Sequence, residues 1–167
     1  MKTQFGDDPA EPLLFEGYQS GNIEFATVFN DDNLNPQLKR DRLEALVQAA
    51  ATAESGVLPG TFVSILIVGH ADRVDTPGTG SEQKRALELQ NSELRAESAQ
   101  AFLLNRIAEE LQADGFTVPM DVDSLQSVQV RMVAAGSARL THLAPGNNEL
   151  ERQANRRVEF FGTAFTP

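Results

Sequence analysis

The chain has 167 residues, enough for one domain with a real core, and its 41% hydrophobic and 23% charged residues are ordinary for a globular protein. A net charge of −10 and a pI near 4.6 argue against nucleic acid or an anionic membrane surface as partner, since both call for a basic face. Cysteine is absent, which excludes disulfides, thiolate chemistry and zinc–thiolate sites and leaves the compartment open.

Residues 1–21 are rich in Pro, Gly and acid and lack periodicity, so they read as an extended N-terminal arm or linker, with Pro9 and Pro12 at its centre. The start has no apolar h-region, so no secretory signal is expected in it; a trimmed chain, another export route or an internal location all fit. Partial alternation of Ile23, Phe25, Thr27 and Phe29 predicts a strand over 22–29. Asn35 is a good N-cap, with Pro36 at the first helical position. The helix that follows carries Leu38, Leu43, Leu46, Val47 and Ala50 as one stripe and ends near Gly56.

The run Phe62-Val63-Ser64-Ile65-Leu66-Ile67-Val68 predicts a central strand covered on both faces. Asp72 follows its end. Residues 73–81, with Asp75, Pro77, Gly78 and Gly80, form a loop. Residues 82–90 are either a separate helical turn or a forward extension of the next helix. Ser92 can cap that helix, which runs to about Gly115 with Ala96, Ala99, Leu103, Ile107 and Leu111 inward and Phe102 at one edge. A connector containing Pro119, Asp121 and Asp123 reads as a solvated loop. Val128, Val130, Met132 and Ala134 share one face of a third strand that Gly136 ends. A loop over 137–146 leads to a short helix over 147–154 and a last strand over 157–163. The order β-α-β-α-β-(α)-β predicts an α+β sandwich, a small mixed sheet with helices on one or both faces. No stretch of about 18 apolar residues occurs, so no membrane-spanning segment is expected.

Asp72 at a strand end and Arg95 in the first turn of a helix place an anion and a cation at the mouth of a sheet, where the pair can grip a zwitterion. The same two residues can instead form an internal salt bridge. His70 reads as a structural hydrogen bonder at a buried strand end, and His142 as a solvated loop residue. His70, Asp72 and Asp75 cluster locally without a distant third ligand, so no metal is expected. No nucleophile and base can be assembled, so the chain reads as no enzyme and needs no cofactor.

Three blocks carry a resemblance. They are Val68-Gly69-His70-Ala71-Asp72 after an apolar strand, Ser92-Glu93-Leu94-Arg95-Ala96 at a helix start, and Arg152-Gln153-Ala154-Asn155-Arg156-Arg157-Val158-Glu159 at the last strand. In this order they resemble the OmpA-like C-terminal domain, whose members include the peptidoglycan-associated lipoprotein and the periplasmic domains of OmpA and MotB. The resemblance covers residues 22 to about 165, and the domain it implies is 22–167. It implies non-catalytic binding of peptidoglycan through the diaminopimelate of its stem peptide, in the periplasm or cell envelope. It also implies that Asp72 takes an ammonium of that residue and Arg95 a carboxylate, with Ala71, Asn91 and Arg157 as secondary candidates. An Arg fork suits a carboxylate, and amides at a helix start favour the same anion. Ala71 stands where the family has Thr, Asn91 where it prefers Leu, Glu88 where an Asn often contacts ligand, and Glu151 where it has Gly. The segment 73–90 is longer than the family's and either lengthens the pocket mouth or covers it. The alternative reading is a structural or assembly protein of a phage, secretion or injection apparatus that uses the fold for contacts with other proteins.

Overall fold

A computed structural model describes residues 2–5, 12–118, 121–138, 140–141 and 148–167. The elements are strands β1 (Lys2–Phe5) and β2 (Leu13–Glu16), helices α1 (Phe25–Phe29) and α2 (Gln37–Glu54), strand β3 (Phe62–Gly69), helix α3 (Ser81–Ala113), a 3-10 turn (Val122–Ser124), strand β4 (Val128–Ala134), helix α4 (Glu149–Asn155) and strand β5 (Arg157–Phe165). His142, Pro119, Pro9 and most of the loop over 137–146 lie outside the described residues.

The sheet has five strands and is mixed, as expected. β3 lies between β4, to which it is parallel, and β5, to which it is antiparallel. β1 and β2 both pair antiparallel with β5, at opposite ends of its length. The segment expected to be an arm or linker is therefore extended but supplies two strands of the sheet. Strand alternation in Leu13-Leu14-Phe15 is real, but it is too short to stand out beside so many Pro, Gly and acidic neighbours.

One face of the sheet carries the core. Val63, Ile65 and Ile67 of β3, Val158 and Phe160 of β5, Val128 and Val130 of β4, and Leu13 and Phe15 of β2 pack with the inner faces of α2 and α3. Alternate residues of β3 (Ser64, Leu66, Val68) are only half-buried, so this strand is not covered on both faces. A continuous apolar run does not by itself report two covers.

Two more expectations change. Residues 22–29 contain helix α1, not a strand: Phe25, Val28 and Phe29 are its buried residues, and their spacing is helical. These rings join Phe15, Phe102 and Phe160 in an aromatic cluster with centroid separations of 4.8–6.1 Å. Asn35 does not cap α2; Pro36 holds that position. The buried Asn35 amide instead donates to Glu16 O and Val28 O, both at 2.9 Å, tying β2 to α1. Leu38 projects into solvent, outside the stripe assigned to it, while Leu43, Leu46, Val47 and Ala50 are buried.

α3 is one unbroken helix of 33 residues. The segment 82–90 is its forward extension, adding about 15 Å of rod before the part that packs on the sheet. Ser92 therefore sits inside the helix. Its hydroxyl donates to Leu89 O at 2.7 Å and accepts from Gly136 N at 2.9 Å. The inward stripe from Ala96 to Leu111 is buried as read, with Phe102 at its edge. No helix among the described residues is long and apolar enough to cross a membrane.

Candidate functional site

The site is built where α3 crosses the end of β3. Gly69 has no side chain to hold the helix away: a Cβ there would lie 1.9 Å from Ser92 O and 3.1 Å from the Ala96 Cβ. This approach brings Arg95, on the same turns of α3, against the residues that follow the strand. The strand ends are knitted around it. His70 N donates to Arg157 O, Ala71 N to Gly136 O, and Ala135 N to Gly69 O, at 2.8–2.9 Å. Such crossed bonds fix the backbone on which Asp72 is presented.

Asp72 and Arg95 line one polar cleft of about 150 Å³, together with Ala71, Asn91, Arg152 and Arg156. The primary pair and two of the secondary candidates are thus brought together. Both members of the pair are buried, Asp72 to 6% and Arg95 to 3% exposure. Among the described residues no ion pair joins them, so the salt bridge weighed from the sequence is not made. Asp72 Oδ1 accepts from the Asn155 amide at 2.9 Å. Its Oδ2 has no hydrogen-bond donor among the described residues, with Arg152 Nη1 at 4.0 Å. A buried carboxylate oxygen without a donor is costly unless something else supplies one.

Arg95 is held by backbone and by a ring. Its Nη1 donates to His70 O at 2.9 Å, its Nε to Asn22 O at 3.3 Å, and its guanidinium lies 5.1 Å from the centroid of Tyr18. Nη2 makes no hydrogen bond among the described residues. Burial pulls the Arg95 pKa down to about 10; nearby Arg156 adds to the fall and Asp72 opposes it. The group stays a cation at neutral pH. Two guanidiniums that disfavour each other's charge in one cleft favour an anion between them.

Arg157, the third secondary candidate, is not in the cleft. It donates to Glu159 Oε1 at 2.9 Å and to Asn155 O. The chain is extended at Arg156, so neighbouring side chains diverge, and Arg156 is the one facing the cleft. From the sequence, Arg152 has no ligand role, Asp75 enters only a local cluster with His70 and Asp72, and Asn155-Arg156-Arg157 reads as either a basic contact patch or the turn into the last strand. The doublet Arg156-Arg157 carried the signal, because alternation allows only one of the two to face the ligand.

Most of the segment 73–90 belongs to α3, which begins at Ser81, and Glu88 ties that helix to the loop after Asp72. Its carboxylate is turned inward, accepting from Val74 N at 2.9 Å and from the Ser137 hydroxyl at 2.6 Å. It anchors the loop beside the cleft. Asp75 in that loop pairs with Arg152 at 2.5 Å, and this bond holds the Asp75 carboxyl below its usual range.

His70 and Glu159 lie behind the site, with His70 Nε2 3.3 Å from Glu159 Oε2. Burial works against the Glu159 carboxylate, yet the His70 imidazole and the Arg157 guanidinium hold its pKa down to about 2, from an ordinary 4.5. A depressed carboxyl stabilises the fold fully above its unfolded pKa, and the contribution is lost as pH falls toward the folded value. The variant Glu159→Gln should therefore melt at lower temperature at pH 7 and show a flatter decline between pH 4.5 and 2. Thermal melts across that range check it; a decline as steep as the parent's would remove Glu159 from the acid response.

No family model matches the chain, and no curated protein matches it. Several solved structures resemble it. The peptidoglycan-associated lipoprotein from Burkholderia pseudomallei aligns at 16% identity over 93% of this chain and 94% of that one, with a TM-score of 0.48. The C-terminal domain of Helicobacter pylori MotB aligns at 17% identity over 91% and 84%, with a TM-score of 0.42. The cell wall anchor of the type VI secretion system from Pseudomonas aeruginosa aligns at 20% identity over 92% and 80%, with a TM-score of 0.38. The likeness is loose in all three, and the chemistry of the cleft rests on its own residues.

Proposed function

We propose that the chain is a non-catalytic peptidoglycan-binding module of the OmpA-like kind. It holds the free zwitterionic end of diaminopimelate between Asp72 and Arg95 and so tethers an envelope component to the cell wall in the periplasm. The observation that carries this reading is the buried Asp72 Oδ2, which has no donor among the described residues, in the same polar cleft as the guanidinium of Arg95. The ammonium of the ligand supplies Oδ2 with its missing donor. The carboxylate accepts from Arg95 Nη2 and lies in the field of Arg156. A cleft of about 150 Å³ takes the end of one residue, not a whole muropeptide, so the glycan and the rest of the stem stay outside. Both charges are preset by packing, which lowers the ordering cost of binding.

Calorimetric titration with diaminopimelate, against a side chain that ends in an ammonium alone, tests the reading. Lysine offers Asp72 its ammonium but brings no carboxylate to Arg95, whereas Arg156 already pairs with Glu149 at 2.7 Å.

A further inference from the structure

A second hollow, of about 410 Å³, adjoins the cleft. It is lined by Arg73, Val74, Asp75, Lys84, Arg85 and Glu88, among others, and shares the first three with the cleft. One wall is the forward extension of α3, which carries Lys84 and Arg85. Its carboxylates are already engaged: Asp75 with Arg152, and Glu88 with Val74 N and Ser137. Its cations are not. Arg73, Lys84 and Arg85 make no ion pair or side-chain hydrogen bond among the described residues. A chain of net charge −10 thus gathers, at one hollow next to the cleft, three cations with no hydrogen-bonded or ion-paired partner among the described residues, although Lys84 adds to the field that lowers the Asp75 carboxyl.

We propose that this hollow is a carboxylate subsite for the residue that precedes diaminopimelate in the stem peptide. That residue is a D-glutamate joined through its γ-carboxyl, which leaves its α-carboxylate free. The inference rests on the proposed function, since diaminopimelate in the cleft sets the position of its neighbour. Arg73 lies at the junction of the two spaces, and Lys84 and Arg85 face the glutamate carboxylate from the helix. The contacts are partly solvated, so each contributes modestly, and together they raise affinity about five-fold.

The test is calorimetric titration of the full chain with three compounds: diaminopimelate, γ-D-glutamyl-diaminopimelate, and the same dipeptide with its glutamate α-carboxylate amidated. The expected result is about five-fold tighter binding of the acidic dipeptide than of the other two. The double variant Lys84→Ala/Arg85→Ala should abolish that preference and leave affinity for diaminopimelate unchanged. Equal binding of all three compounds overturns the subsite and leaves the cleft assignment standing. A preference that survives in the double variant overturns it as well. Binding of none overturns both.

Discussion

Replacing Asp72 with Asn should weaken binding of diaminopimelate by about 30-fold or more and leave the melting temperature close to the parent's. In the proposed complex the ligand ammonium loses its carboxylate partner, and truncating one side of a buried, hydrogen-bonded charge pair costs about 2–5 kcal/mol. The fold is spared because the amide keeps the shape, and its oxygen still accepts from Asn155 as Oδ1 does now. Among the described residues the charge removed has no hydrogen-bonded donor on Oδ2 to strand. Titration calorimetry with a thermal melt of the same sample reads both effects. A D72N variant that binds as the parent does would remove Asp72 from the site. Arg95 is a poorer target, although the sequence alone makes the two look equivalent. Its Nη1 and Nε hold the carbonyls of His70 and Asn22, so truncation leaves two backbone groups short of a donor, at about 1–3 kcal/mol each when buried.

Gly69→Ala should be the most damaging single substitution of stability, costing about 3 kcal/mol or more, or preventing folding. The added methyl would meet Ser92 O at 1.9 Å, a backbone atom of a packed helix that cannot rotate away. Relief requires α3 to lift from the end of β3, which also carries Arg95 away from Asp72. Chemical denaturation measures the loss, and any folded fraction should bind diaminopimelate weakly. A variant as stable as the parent would show that the crossing of helix and strand is loose, and with it the positioning of the pair.

The parts of the site that the sequence displayed are those fixed by local pattern. A β-branched run ending in Gly69 marked β3, and the polar residues after it had to emerge at the sheet's edge. The stripe from Ala96 to Leu111 fixed which way α3 faces, and therefore where Arg95 points. What stayed hidden depends on contacts between distant segments. The apolar residues of 22–29 offer both an alternating set (Ile23, Phe25, Phe29) and a helical one (Phe25, Val28, Phe29), and the aromatic cluster with Phe15, Phe102 and Phe160 decides for the helix. The strands β1 and β2 form only because β5 offers a free edge, which nothing in residues 1–21 announces. Arg157 and Arg156 are indistinguishable as types, and the choice between them was made by Glu159, which captures Arg157. Glu88 looked like a departure from a ligand contact. It holds the longer loop in place, and Asp72 and Arg95 still line one cleft.

The central claim is that a buried carboxylate and a buried guanidinium together select a zwitterion. It is tested most directly by titrating the wild-type chain with diaminopimelate and with lysine, each blocked at its peptide-side amino and carboxyl groups. Only the presence of the second carboxylate then differs. Blocked diaminopimelate should be preferred by at least about 100-fold, the scale expected when a site's buried charged groups are left without a partner. Equal affinity for the two, or no measurable binding of blocked diaminopimelate, would contradict it.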